Sequence, residues 1–556
     1  MHDARRAARR HTIATLLRGV FGIERLRDGQ QQVIDSVLDG KDTLAIMPTG
    51  SGKSLCYQIP AKMLRGTTIV VSPLISLMKD QLEKLDALGI HATQVNSSLT
   101  REQEQAALAG IRSTDSEIVF CTPERLAVPE FVAVLRQVRI DMVVIDEAHC
   151  ISQWGHDFRP AYLEMEASIE ALGRPPVLAL TATATDVVIE DIARQLGRPH
   201  INVINTGIFR PNLHYSVIQV TNAEERHAQA LQLVQRTQGV GIVYAATVKA
   251  AEEMHRILLE AGQSAVLYHG QLGAAERRQN QNLFMDGERR VMVATNAFGM
   301  GIDKRDTRFV IHLQVPANLE AYYQESGRAG RDGADADCTL LYFQDDKRVQ
   351  QFFLAKHYPN EGELKAVYEA VRALGKESSV TFKRLHEALE AFAPGKLKVC
   401  LKLLKDARLL RQNRRLDYAA TALQPSAALY MDMAAVYAQK QERDREALEQ
   451  MVSYAVSGFC RWKLLLDYFG DTIDGFERCG ACDNCLHPLI EPLPADDEFE
   501  REPEAAPLVA PFEVGARVKV PKFDVGTVLT VAGEQVTIAF PDHSTRTFLA
   551  RYVTPA

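Results

Sequence analysis

Positive charge is scarce in this chain. Its 64 lysines and arginines face 71 aspartates and glutamates, a formal net of −7, which excludes a uniformly basic coat for polyanions. Long apolar runs are missing too: no uninterrupted stretch reaches membrane-spanning length, so no bilayer-crossing helix is expected. Nine cysteines among 556 residues are too few for a disulfide-built scaffold and fit reduced intracellular thiols. Arg5, Arg6, Arg9 and Arg10 resemble the start of a targeting signal, yet Arg18 interrupts the short apolar segment behind them. A solvated helix start and a cytoplasmic location are expected. The chain is too long for one core, and its 46% hydrophobic content suits several globular domains.

The missing positive charge is a matter of distribution. Between Ile490 and Pro511 seven acids stand against Arg501, and this Pro- and Ala-rich segment accounts for six of the seven excess negative charges. Such composition marks a disordered linker. From Arg372 to Asp417, by contrast, twelve Lys or Arg stand against five Asp or Glu.

Two boxes point to nucleotide chemistry. The run Thr43 to Ile46 reads as a strand, and Met47-Pro48-Thr49-Gly50-Ser51-Gly52-Lys53-Ser54 follows as a glycine-rich turn opening a helix. The strict phosphate-loop pattern wants Gly where Met47 stands, but the working parts are present. Gly50 and Gly52 let backbone N–H groups approach phosphate, with Thr49 and Ser51 beside them. Lys53 can reach the β and γ phosphates, and Ser54 can ligate Mg²⁺. The apolar run Met142 to Ile145 reads as a buried strand that delivers Asp146 and Glu147 at its C-terminal end. One carboxylate would hold Mg²⁺ and the other polarise water. Directly beyond lie Trp154, His156, Phe158 and Arg159, whose aromatic rings offer faces for stacked bases.

From Phe21 to about Tyr342 the chain resembles a RecQ-family helicase of superfamily 2. The match runs through Gly29-Gln30, the phosphate loop, Ser72 to Asp80, the DEAH box with its SQWGHDFRP continuation, and Thr181-Ala182-Thr183-Ala184. It continues in Tyr268-His269-Gly270, Ala294 to Asp303 and Tyr323 to Gly333. The resemblance implies ATP-driven strand separation of DNA with 3′-to-5′ tracking, on single-stranded and branched DNA and on the nucleoid. It also implies that Gln30, with Arg27 beside it, reads adenine, and that Trp154, His156, Phe158 and Arg159 couple hydrolysis to DNA. Ile23 stands where the family commonly has an aromatic, so somewhat weaker base discrimination is expected.

The expected fold is α/β. Strand-like runs 67–71, 118–121, 142–145 and 177–180 alternate with helical stretches in a first RecA-like lobe, residues 1–205. A second series, 241–244, 265–268, 291–294, 309–313 and 339–342, follows Phe209-Arg210-Pro211-Asn212 and builds a second lobe, 206–345. Arg328 and Arg331 lie there on a Gly-rich loop. If they meet ATP only on lobe closure, closure and catalysis are coupled, with Arg331 as arginine finger and Arg328 assisting.

Three smaller units are expected beyond the motor. Residues 346–425 look like a winged helix. Leu397, Cys400, Leu401 and Leu404 recur at helical spacing, and Lys398, Lys402 and Lys405 lie along another face, either as duplex contacts or as a solvated surface. In 426–488, Cys460, Cys479, Cys482 and Cys485 form C-x18-C-x2-C-x2-C, which suits tetrahedral Zn²⁺, with an iron–sulfur cluster as the alternative. This segment resembles the RecQ zinc module, although the family usually places it before the winged helix, and no HRDC domain is recognisable after it. Beyond the 489–511 linker, residues 512–556 alternate apolar and polar with glycine turns. They resemble the small SH3-like or Tudor-like β-barrel that ends UvrD/PcrA-type helicases, which suggests a protein partner.

Overall fold

The computed structural model describes residues 2–113, 115–152, 161–162, 165–299, 304–357, 359–375, 379–392, 394–413, 417–488, 512–521, 523, 525–532, 535–542 and 544–556. The aromatic loop with Trp154, His156, Phe158 and Arg159, the acidic 489–511 segment, and Arg414 and Arg415 lie outside the described residues.

The first lobe is a seven-stranded parallel sheet. Its strands are β1 (Thr43–Ile46), β2 (Thr67–Val71), β3 (Ala92–Val95), β4 (Ile118–Cys121), β5 (Ile140–Ile145), β6 (Val177–Thr181) and β7 (Asn202–Asn205). They are ordered β3-β4-β2-β5-β6-β1-β7. Helices cover both faces, so β1, β2, β4 and β6 are buried throughout and read as unbroken apolar or Thr-containing runs. The edge strands β3 and β7 carry half-exposed and polar residues instead. The amino-terminal helix His2–Gly19 docks by Ile13 and Leu17 against Ile34, Leu55 and Ile59.

The second lobe is a six-stranded parallel sheet of β8 (Leu213–Gln219), β9 (Val240–Tyr244), β10 (Ala265–Tyr268), β11 (Val291–Ala294), β12 (Thr307–His312) and β13 (Ala336–Tyr342). Its order is β10-β11-β9-β12-β13-β8. Residues 359–434 form a separate core, with Leu364, Val367, Leu397, Leu401 and Leu404 at its centre. Three helices, Glu361–Leu374, Phe382–Ala388 and Pro394–Asp406, pack there with the hairpin β14 (Leu410–Gln412) and β15 (Tyr418–Ala420).

The boundary expected at residue 425 does not separate one core from the next. The 30-residue helix Ala427–Val456 gives Tyr430 to that small core and Leu448, Met451 and Tyr454 to the second lobe. The cysteine-bearing stretch has no core of its own: Trp462, Leu465, Leu466, Phe469 and Cys482 share one cluster with Tyr215, Tyr322, Tyr323 and Leu340. Trp462 Nε1 donates to the Leu213 carbonyl at 3.0 Å, and Asp483 accepts from the Val217 amide at 2.9 Å. Both contacts fasten the stretch along β8.

The C-terminal segment is a five-stranded antiparallel sheet of β16 (Arg517–Lys519), β17 (Val525–Ala532), β18 (Gln535–Ala539), β19 (Thr545–Leu549) and β20 (Thr554–Pro555). It encloses Val518, Val528, Val536, Ile538 and Phe540, and Tyr552 meets Phe459 edge-on with ring centroids 5.9 Å apart. No helix of the described residues is long and apolar enough to cross a membrane.

Candidate active site and metal centre

A cavity of about 610 Å³ opens between the lobes. On the first-lobe side β1 ends in the glycine-rich turn. Gly50 and Gly52 both take φ of +83°, in the left-handed region that side chains disfavour. A Cβ on Gly52 would stand 2.7 Å from Gln30 Nε2, so any side chain there would displace Gln30. Met47 keeps a negative φ, which is why the position tolerates a side chain. It is fully buried, its sulfur lies 3.8 Å from Cys56 Sγ, and its amide donates to Thr181 O. The departure from the strict motif is therefore a packing residue beneath the loop.

Lys53 Nζ donates to Met47 O at 3.3 Å. Enclosure by the cleft walls lowers its pKa, while Glu147 and Asp146 pull it up. Burial first, and then the Glu147 charge, raises the Asp146 carboxyl to about 7. A buried carboxyl whose ionisation is opposed by the carboxylate next to it favours a cation beside it. Glu147 holds φ of +50°, unusual for a residue with a side chain and a mark of local strain. His149 Nδ1 lies 3.1 Å from Thr181 Oγ1 and 3.5 Å from Glu147 Oε2, so the strand ends of β5 and β6 are tied together.

The amide of Gln30 faces the phosphate loop. Nε2 donates to Ser51 O and Gly52 O, both at 3.0 Å, and Oε1 accepts from the Arg27 amide at 2.8 Å. Arg27 Nη1 donates to Gly50 O. Phe21, Ile23 and Arg25 line the same cavity.

The second lobe closes the opposite wall with Arg305, Gln324, Arg328 and Arg331. A Cβ on Gly50 would stand 3.0 Å from Arg331 Cγ, and one on Gly327 would stand 3.2 Å from Thr49 Cβ. The two loops are thus in van der Waals contact, and Arg331 is close enough to depress Lys53. Arg328 is buried beside Tyr244, whose hydroxyl donates to Phe298 O at 2.8 Å. Arg305 and Gln81 also line the cavity, but neither carries a motif that would single it out in the sequence. A second cavity, about 720 Å³, sits on the second lobe where Thr247, Gln271, Thr295, Asn296 and Arg348 converge.

The four cysteines assemble with all Sγ atoms within 4.8 Å of one another. Cys479 and Cys485 are 3.9 Å apart, close to the roughly 3.8 Å edge of a tetrahedron with Zn–S bonds of about 2.3 Å. An iron–sulfur cluster would lie between its ligands and spread them farther. Amides of Cys479, Cys482 and Arg461 donate to Sγ of Cys460, Cys479 and Cys482, respectively. Such bonds favour thiolates. The fit is to zinc.

The three lysines expected along one helix face separate. Lys398 and Lys405 are exposed, with Lys398 Nζ 5.5 Å over the Phe382 ring. Lys402 is half-buried beside Asp406, Lys405 and Lys440, and its pKa is lowered by burial. The long helix Ala427–Val456 supplies Lys440 and covers that side.

Three family models match the chain: DEAD/DEAH box helicase over residues 27–192, helicase conserved C-terminal domain over 225–333, and RecQ zinc-binding over 426–486. The ATP-dependent DNA helicase RecQ of Bacillus subtilis is 45% identical over 62% of this chain and 58% of its own length. The probable ATP-dependent DNA helicase RecS of the same organism is 41% identical over 67% and 75%. The ATP-dependent DNA helicase RecQ of Synechocystis is 32% identical over 86% and 99%. The chain thus spans little more than half of some relatives and nearly all of another. Among solved structures, the DUF1998 helicase MrfA bound to DNA aligns with a TM-score of 0.52 at 18% identity, over 75% of this chain and 63% of that one. Mss116p bound to ssRNA and AMP-PNP aligns at 0.50 and 19%, over 71% and 85%. These two likenesses are of fold.

Proposed function

Because the chain belongs to the RecQ family of superfamily 2 helicases, we propose that it is an ATP-dependent DNA helicase that tracks 3′ to 5′ on single-stranded DNA and opens branched duplexes. The observation that carries this reading is the contact of Arg331 with Gly50 across a cavity that also holds Lys53, Asp146 and Glu147. Lys53 and the amides of 49–54 cradle the phosphates. Ser54 and Asp146 would hold Mg²⁺, which when bound neutralises phosphate charge. Glu147 orients and deprotonates the attacking water. Arg331 and Arg328 meet the charge that develops on the γ-phosphoryl group, so turnover waits on lobe closure. Gln30, freed from the phosphate loop, reads adenine with Arg27. The segment holding Trp154, His156, Phe158 and Arg159 follows Glu147 by a few residues and carries the signal to DNA.

An unwinding assay on 3′-tailed, 5′-tailed and blunt DNA, with an RNA duplex as control, tests this. ATP-dependent opening of the 3′-tailed DNA alone is expected. Opening of RNA, or hydrolysis without any strand separation, would refute it.

The winged-helix-like segment, residues 346–425, acts as a duplex grip through Lys398 and Lys405, with Lys402 a lesser contributor because it is half-buried. Replacing Lys398 and Lys405 by alanine is expected to flatten the slope of log affinity against log salt by about 2, roughly 0.9 per lost phosphate contact. An unchanged slope in a salt titration would mean that both lysines merely solvate the surface. The C-terminal sheet, read as an SH3-like or Tudor-like barrel, is the surface for a protein partner, and the enzyme works on the nucleoid.

A further inference from the structure

The connector between the lobes, residues 206–212, is held on every side by groups distant in sequence. The Ile208 amide donates to Asp471 Oδ2 at 2.6 Å, and Ile208 O accepts from Tyr323 Oη at 2.7 Å. Phe209 packs edge-on against Trp462 and Phe476, both at 5.0 Å between ring centroids. Asp471, Trp462 and Phe476 all belong to the zinc-bearing stretch, so the connector takes its position from it.

Arg210 comes next and is buried. Its guanidinium clasps three backbone carbonyls: Nη1 donates to Gly327 O at 2.8 Å, and Nη2 donates to Ala329 O at 2.7 Å and Gly330 O at 2.6 Å. Asn212 Nδ2 adds Gly330 O at 2.9 Å and Ala334 O at 2.8 Å. The clasped carbonyls flank Arg328 and end one residue before Arg331. They belong to a loop, where no strand ladder competes for them. A planar guanidinium with fixed donor directions suits three carbonyls spread around a turn, and its charge strengthens each bond.

We infer that Arg210 is a positioning residue for ATP hydrolysis: it fixes the 327–330 backbone so that Arg328 and Arg331 reach the nucleotide in register. Arg210 does not line the cavity, so it contributes nothing to nucleotide binding directly. Its effect falls on the turnover step, where a displacement of about 1 Å can cost on the order of 100-fold. The inference rests on the reading of Arg331 as the arginine finger.

Arg210→Ala and Arg210→Lys, each in the full chain, are compared with the parent and with Arg331→Ala. Steady-state ATPase, affinity for a fluorescent ATP analogue, single-stranded DNA affinity and zinc content are measured. Arg210→Ala is expected to lower kcat about 10- to 100-fold with nucleotide and DNA affinities within about two-fold and zinc retained. Added guanidinium ion at low millimolar concentration should restore part of that rate. Arg210→Lys should fall between, since a single ammonium cannot span three carbonyls. Unchanged kcat in both variants would overturn the inference. So would a fall in kcat matched by lost zinc and equally weakened nucleotide binding, which marks a scaffold residue. If Arg331→Ala itself turns over ATP at the parental rate, the arginine-finger reading fails. If only the Arg210 variants keep the parental rate, this inference fails alone.

Discussion

Replacing Arg331 by alanine is expected to abolish ATP turnover while leaving nucleotide binding intact. The stem of Arg331 lies against Gly50, at a point where only a glycine allows the approach. Its charge is near enough to be felt by Lys53. A cation delivered from the second lobe is felt most strongly when negative charge builds on the transferred phosphoryl oxygens. Arginines in this role contribute roughly 10³- to 10⁵-fold to kcat, equivalent to about 4 to 7 kcal/mol. Lys53, Ser54 and the loop amides remain to hold the ground state, so the dissociation constant of a non-hydrolysed analogue should move by less than about three-fold. Arg331→Lys keeps the charge but loses the planar fork, and partial recovery is expected. Parental ATPase in Arg331→Ala, measured with saturating DNA, would remove Arg331 from the mechanism.

The second large effect is expected from Cys482→Ser. Cys482 is completely buried, belongs to the four-sulfur group, and sits in the same apolar cluster as Tyr215, Tyr322, Tyr323 and Trp462. Zinc at this site therefore stabilises more than a peripheral knuckle. Structural zinc contributes folding free energy directly. Loss of even about 5 kcal/mol in a unit of this size shifts its melting by roughly 10 to 20 °C. Calorimetry should show the second-lobe transition falling by that amount while the first-lobe transition stays. Proteolysis should then cut the second lobe early. A variant that lacks zinc by atomic absorption yet melts like the parent would show that the apolar contacts suffice alone.

What can be read from the sequence follows a physical divide. Strands β2, β4 and β11 are legible to the residue, because burial on both faces writes them as unbroken apolar or Thr-containing runs. The edge strands β3 and β7 escape because one side of each is half-exposed and their residues are mixed. β8 escapes because Leu213, Tyr215 and Val217 alternate with polar residues, and what covers them is a helix far along the chain. At the site, Lys53 announces itself by the glycine-rich turn between a strand and a helix, and Asp146 and Glu147 by standing at the end of β5. The grip of Arg210 on 327–330 carries no local signal, since both partners are single loop segments more than a hundred residues apart. Lys402 illustrates the converse: helical spacing puts it on one face with Lys398 and Lys405, but the helix that half-covers it begins beyond residue 426.

The bond from Trp462 to Leu213 spans 249 residues, and that span has a cost in time. A ribosome adding roughly 5 to 20 residues per second needs about 10 to 50 s to make the interval. Throughout it, the outer face of β8 and the ring of Tyr215, joined later by that of Tyr323, wait without their cover. The first lobe and the 359–434 core hold all their own parts and can close as they emerge. The second lobe cannot, so nascent chains stalled anywhere between residues 345 and 460 should carry a sticky, unfinished surface and be the ones that holdase chaperones retain.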